Sequence, residues 1–391
     1  MTRAACIVVN SRANYARIKS VLRAISARDD MELQLIVGAS ALLWRFGDVR
    51  KIIEADGFEI KSTVYSIVEG ETPTTMAKSA GIAIIEMATQ FENLQPDVVL
   101  TVADRFETIA TAIAGAYMNI PVAHTQGGEV TGSIDESVRH AVTKLSHLHF
   151  PATEQAAENL IRMGEDPATV YVTGCPAIDL IADIDLTLPA DIFQRYGGAG
   201  ASLDPTEPYI VVMQHPVTTE YGQGIDQINE TLKAIDKLKM QTVWFWPNVD
   251  AGSDDIAKGL RVFREAKQPD WLHFYRNFTA EDYARLIANA RCLIGNSSSA
   301  LREGSFIGVP AVNVGSRQHG RERDYNVMDA WYDASAIEAA IKRQLDHGPY
   351  QRSHRFGSGD AGRKIAEILS KAELRVQKTL NYPTTAAVAA D

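Results

Sequence analysis

Two α/β halves, each built on a mostly parallel sheet, are what the sequence predicts. Short β-branched runs alternate with longer helical stretches, the order that βαβ units impose. The alternation stops over residues 180–205 and then starts again. A chain of 391 residues is too long for one ordinary domain and suits two.

In the first half the strand-like runs are AACIVVN, ELQLIVG, DVVLTVA, PVAHTQ, HLHFPAT and TVYVTG, with helical stretches such as YARIKSVLRAISAR and FETIATAIAGAYM between them. Turn residues bound each run, and a near-continuous apolar strand is one covered on both faces. The second half repeats the pattern with YIVVMQH, QTVWFWPN, WLHFYRN, CLIGNSS and PAVNVGS. The expected boundaries are 1–185 for the first Rossmann-like domain and 186–360 for the second. Residues 361–377 read as a last helix that packs back on the first domain, followed by a frayed tail, NYPTTAAVAAD.

Composition narrows the function. A hydrophobic share of 46% with 23% charged residues is globular. The net charge of −10 would repel a polyanion, so no nucleic-acid partner is expected. Cys6, Cys175 and Cys292 are odd in number and lie in apolar surroundings, which suits reduced, buried thiols better than disulfides or a zinc site. The beginning, MTRAACIVVNSR, lacks the apolar core of a signal peptide, and no window is apolar enough to span a membrane. A soluble cytoplasmic protein with no membrane partner is expected.

The candidate chemistry sits where strands end. In open parallel sheets, ligands lie beyond the carboxyl ends of the strands, where a helix start offers free N–H groups. The stretch IGNSSSALREGSFIGVPAVNVGSR puts Ser297, Ser298 and Ser299 at such a point, with Glu303 and Arg317 nearby. Hydroxyls and amides suit a phosphate, and a carboxylate beside it suits a ribose diol; one serine as a plain N-cap is the alternative. Arg12 follows the first strand, with no G-x-G-x-x-G fingerprint around it. His215 follows the first strand of the second half and is either structural or a site residue. Asn248, with Asp250 and Ser253, is equally well read as a turn. The first half also brings Asp104, Arg105, Gln126, Glu129, Asp135 and Arg139 to successive strand ends, with a Gly-Gly pair that allows a ligand to approach. Taken singly, Asp104 could be an N-cap, and Asp135 with Arg139 a surface ion pair at i and i+4.

The segments SRANY, VADRFET, GGEVTGSIDESVRHAVTKLSHLHF, TGCPAIDLI, QHPVTTE, WPNVDAGS and IGNSSSALREGSFIGVPAVNVGSRQHGRE together resemble the hydrolysing UDP-N-acetylglucosamine 2-epimerase family, in order from about residue 5 to 345 and nearest the sialic acid branch. The resemblance implies a GT-B architecture, two Rossmann-like domains with parallel sheets facing across a cleft, in a homodimer or homotetramer. It places UDP on Arg12, Ala13, Arg105, His215, Asn248, Ser297, Ser298, Glu303 and Arg317. Asp104, Asp135 and Arg139 fall at the sugar end, with His215, Glu129 and Gln126 as further catalytic candidates. The implied reaction eliminates UDP as the C2 proton leaves, giving a glycal. Water then adds at C1 and a proton returns to the other face of C2, releasing UDP and N-acetylmannosamine. Cations and carboxylates suffice for this, with no NAD, metal or other cofactor expected.

Two departures concern the sugar end. Gln126 stands where the family commonly has a glutamate, and an amide cannot exchange a proton at neutral pH. The family's early histidine is replaced by the Ser40–Ala41 neighbourhood with an extra residue. A UDP-2,4-diacetamido-6-deoxy sugar of the bacillosamine type is therefore an alternative substrate. A GT-B glycosyltransferase and a non-catalytic UDP-sugar sensor are alternative functions.

Overall fold

The computed structural model describes residues 2–44, 48–102, 105–248 and 250–381. The first sheet holds β1 (Arg3–Val9), β2 (Met31–Gly38), β3 (Ile60–Val64), β4 (Val98–Val102), β5 (Val122–Thr125) and β6 (Leu148–Phe150). Their spatial order is β3-β2-β1-β4-β5-β6, every pairing parallel. The second sheet holds β7 (Gly198–Gly200), β8 (Tyr209–Met213), β9 (Gln241–Phe245), β10 (Leu272–Tyr275), β11 (Leu293–Gly295), β12 (Ala311–Val314) and β13 (Val327–Ala330). Its order is β13-β12-β11-β8-β9-β10-β7, parallel except where β7 runs against β10.

Each sheet reverses its winding once. The chain steps from β1 outward to β3, then returns to lay β4 on the other side of β1; likewise it steps from β8 to β10 and returns to lay β11 beside β8. The two crevices so made, β1/β4 and β8/β11, are where a doubly wound sheet takes its ligand. They face one another across a cleft lined from both halves.

Burial explains why these runs become strands. Residues 98–102 and 209–213 are buried throughout, so both faces must be apolar. The first core gathers Ile7, Val9, Leu35 and Leu100 against Ile18 and Leu22 of the helix Arg12–Ser26. Ile365, Ala366 and Leu369 of the C-terminal helix Ala361–Lys371 complete it. Each fully buried aliphatic side chain contributes about 1.5–3 kcal/mol, so that helix is part of the first domain's core. Asp179 fixes its start by accepting the N–H of Ala361 at 3.0 Å and of Gly362 at 2.6 Å.

The elements differ from expectation in a few places. TVYVTG forms only a bridge from Val170 to His149, not a strand. The last helix stops at Lys371 rather than 377, and Lys378 beyond it pairs with buried Glu165 at 2.5 Å. Cys6, Cys175 and Cys292 are all buried and in no disulfide. Among the described residues no helix is long and apolar enough to cross a membrane.

Candidate active site

The site is set by how four strand ends are capped. After β1, Ser11 caps the helix Arg12–Ser26 by accepting the N–H of Asn14 at 3.1 Å, which puts Arg12 first in that helix, at the cleft. Asn14 donates to Val102 O at 3.3 Å and so ties the end of β1 to the end of β4. After β8 and β11 the same tie is made by buried Asn296. Its Oδ1 accepts the N–H of His215 at 2.7 Å, and its Nδ2 donates to His215 O at 2.9 Å.

Ser297 does cap a helix, as the plain alternative held: it accepts the N–H of Ser299. That helix, Ser298–Leu301, is four residues long and gives way at Arg302 to a second short helix, Glu303–Ile307. One turn sums few peptide dipoles. The positive charge at this wall therefore comes from side chains of the other domain, Arg12 and Arg17. Arg17 donates to Ser298 Oγ at 2.7 Å across the cleft. Ser299 Oγ bonds the Tyr283 hydroxyl at 2.7 Å.

Among the described residues, Arg12 and Glu303 stand out in the cleft for what they lack. Arg12 is half-buried, and among the described residues no carboxylate or acceptor meets its guanidinium; burial lowers its pKa to about 10. Glu303 Oε2 is buried with no hydrogen-bond partner. A buried orphan costs free energy until a ligand satisfies it. Arg105 is different. Glu107 at 3.1 Å and Asp250, from the second domain, at 3.0 Å already match its charge. Burial works against that cation, but the two carboxylates outweigh it and hold it charged.

His215 is neutral. Burial and then Arg317 lower its pKa to about 3. Its Nδ1 accepts the N–H of Asn248 at 3.2 Å, so the ring proton sits on Nε2. Asp135 lies on the helix Ile134–Leu145, capped by Ser133, and meets Arg317 at 3.6 Å across the cleft.

Of the residues expected here, Arg12, Ala13, Arg105, Asp135 and His215 line one cleft, together with Asn248, Ser297, Ser298, Glu303 and Arg317. Asp104 lies outside the described residues. Three others do not line the cleft, and each does structural work beneath it. Gln126 donates to Cys175 Sγ at 3.0 Å and accepts from Arg302 at 3.3 Å. Arg139 is fully buried and donates to Glu129 O at 2.7 Å. One oxygen of Glu129, Oε2, accepts from both Arg302 and Arg321. Burial pushes that carboxyl up, but Arg302, Arg321 and Arg139 outweigh it and hold it at about 2. A group so acidic and so enclosed is poorly placed to take a proton at neutral pH. The glycine pair also differs from expectation. Gly128, at φ +80°, sits against the Ala156 carbonyl, where a methyl would come within 2.0 Å, so its smallness serves packing within its own domain. Ser40 and Ala41, where the early histidine was expected, are buried, and neither lines the cleft.

Arg17, Arg302, Arg321 and the Lys19–Glu281 pair at 2.6 Å were not legible as site residues. Arg302 and Arg321 did lie within the motif carrying the serine turn and Arg317, and Arg17 one turn beyond Arg12.

Comparison with known proteins bears on the family and the fold. The chain is 33% identical over 378 residues to the Legionella pneumophila UDP-N,N'-diacetylbacillosamine 2-epimerase (hydrolyzing), covering 96% of this chain and 98% of that protein. It is 31% identical to the Escherichia coli polysialic acid biosynthesis protein P7, covering 87% and 85%. The crystal structure of the Neisseria meningitidis UDP-GlcNAc 2-epimerase bound to UDP-GlcNAc superposes with a TM-score of 0.77 at 17% identity, over 94% of this chain and 100% of that one. The fold is thus the two-domain GT-B type. Residues 23–370 match the UDP-N-acetylglucosamine 2-epimerase family, and the chain belongs to it.

Proposed function

We propose that this chain is a hydrolysing 2-epimerase that converts a UDP-linked 2-acetamido sugar to UDP and the free 2-epimer. Arg12 is the observation that carries the reading: a half-buried cation with no carboxylate within 4.0 Å among the described residues, on the same cleft as a turn of serine hydroxyls, calls for a diphosphate. Glu303, with its orphaned oxygen, takes the ribose hydroxyls. Phe278 and Trp246 supply the apolar wall that a base needs.

The sugar then lies toward Asp135, Arg317 and His215. As the C1–O bond breaks, its electrons pass to the diphosphate, where Arg12, Arg17 and Arg317 face the growing charge. The C2–H electron pair forms the C1–C2 double bond, and a carboxylate takes the proton. Asp135 is the described carboxylate at this end of the cleft, and Asp104 is the expected second. Neutral His215 gives a hydrogen bond from Nε2 without adding charge. Water supplies the C1 hydroxyl, and the returning proton on the opposite face of C2 completes the balance.

N-acetylglucosamine is the first sugar proposed, consistent with a sialic-type pathway. The Legionella relative favours a diacetamido-6-deoxy sugar as the second. Incubation of the protein with UDP-N-acetylglucosamine, and separately with UDP-N,N'-diacetylbacillosamine, in deuterated water tests both. UDP release with deuterium at C2 of the free sugar is expected for the true substrate. Retained protium contradicts the elimination. UDP release only after an acceptor is added would make the protein a transferase, and binding without turnover a sensor.

A further inference from the structure

A second cavity, of about 650 Å³, opens beside the base end of the cleft and shares Trp246, Asn248, Arg276 and Asn277 with it. Arg261 and Arg264, one turn apart on the helix Ser253–Lys267, form the far wall, and Gly197 and Gly198 form its edge at the start of β7. In a chain of net charge −10, no aspartate or glutamate among the described residues lines this concavity. Its three arginines are almost unmatched. Arg261 and Arg276 have no carboxylate within 4.0 Å among the described residues, and Arg264 has only its chain neighbour Glu265, at 3.9 Å. Arg276 is held at the boundary by stacking over the Trp44 ring, 5.6 Å from its centroid.

Like charges gathered in a concave, partly apolar space raise the local potential and draw in anions. The volume lies within the 300–1,000 Å³ typical of small-molecule sites. We propose that this cavity binds a second anion, a small molecule bearing phosphate or carboxylate groups, beside the bound nucleotide. The diphosphate grip of Arg12 and the serine turn is at another part of the cleft, so the two sites are chemically separate. The shared wall gives the second ligand a route to influence the first.

Calorimetric titration of the full chain, saturated with UDP and held at constant ionic strength, tests this with inorganic pyrophosphate in one arm and citrate in the other. Saturable binding of one anion per chain is expected, at least tenfold weaker in Arg261→Ser/Arg264→Ser and kept in Arg261→Lys/Arg264→Lys. Saturation by pyrophosphate alone identifies a phosphoryl ligand, and by both a general polyanion. Absence of saturation in both arms overturns the proposal, as does equal affinity in the serine variant. Should UDP itself fail to bind, the functional reading falls separately, and the pyrophosphate titration is read in Arg12→Ala, where the diphosphate grip is removed.

Discussion

At the scale of single residues, the site separates groups that are already satisfied from groups that wait. Arg105 has two carboxylates in contact, whereas among the described residues none comes within 4.0 Å of Arg12, although both are cations at strand ends of the same sheet. The first is a strut between domains, and the second is the receptor for charge in the function proposed above. His215 resembles neither. Its proton is fixed on Nε2 by the Asn248 N–H, and burial keeps the ring neutral far below its ordinary range. Because that pKa is depressed from 6.5 to about 3, the donor form is complete throughout pH 5–8. The rate profile across that range is therefore expected to show no inflection that His215→Gln removes, even though the variant is slower. An inflection near pH 6.5 that vanishes in the variant would show that the ring titrates.

At the scale of elements, the loop between β5 and the helix Ile134–Leu145 is the hub. It carries Gln126, Glu129 and Thr131, and through Glu129 it grips Arg302 and Arg321 of the second domain. Removing one member of a buried ion cluster leaves charges without a counter-ion, at a typical cost of about 3–5 kcal/mol. Glu129→Gln is expected to lose about that much in denaturant unfolding at pH 7. The carboxylate's folded pKa, about 2, lies below its ordinary 4.5, so its contribution is present above 4.5 and is lost as pH falls through 2. The difference between variant and parent should accordingly close in acid; a constant gap, or none at pH 7, would place the stabilisation elsewhere. This hub was the least legible part of the sequence. Glu129 and Arg302 stand 173 positions apart, and nothing local announces their pairing. The central strands were legible because burial on both faces demands β-branched runs. Two edge strands were not: β3 alternates half-buried and exposed residues over IKST before buried Val64, and β7 is only Gly-Ala-Gly. The residues that line the cleft could be read because most of them follow strand ends, whereas Gln126 directly follows β5 and Arg139 lies in the helix after it, and both turn beneath the cleft.

At the scale of the whole molecule, closure is built from contacts that cross between the sheets. Lys19 is buried between Asp56 of its own domain, at 2.7 Å, and Glu281 of the other, at 2.6 Å. Were the domains to part, Lys19 would keep one partner rather than none, which would limit the cost. Gly132 N donates to Arg317 O at 3.0 Å, an approach so close that a methyl on Gly132 would lie 2.0 Å from Ser316 O. Arg17 on Ser298 and Arg317 near Asp135 bring the remaining charges to the same seam. A ligand that satisfies Arg12 and Glu303 together must touch both domains, and so must favour the closed form. Calorimetric titration with UDP, on the parent chain and on Arg12→Ala and Glu303→Ala, tests that claim most directly. One UDP per chain is predicted, weakened about 10- to 100-fold by either substitution, the value of one charged hydrogen bond, although the two residues come from opposite domains. Equal affinity in the parent and both variants, or no heat from UDP at all, would contradict it.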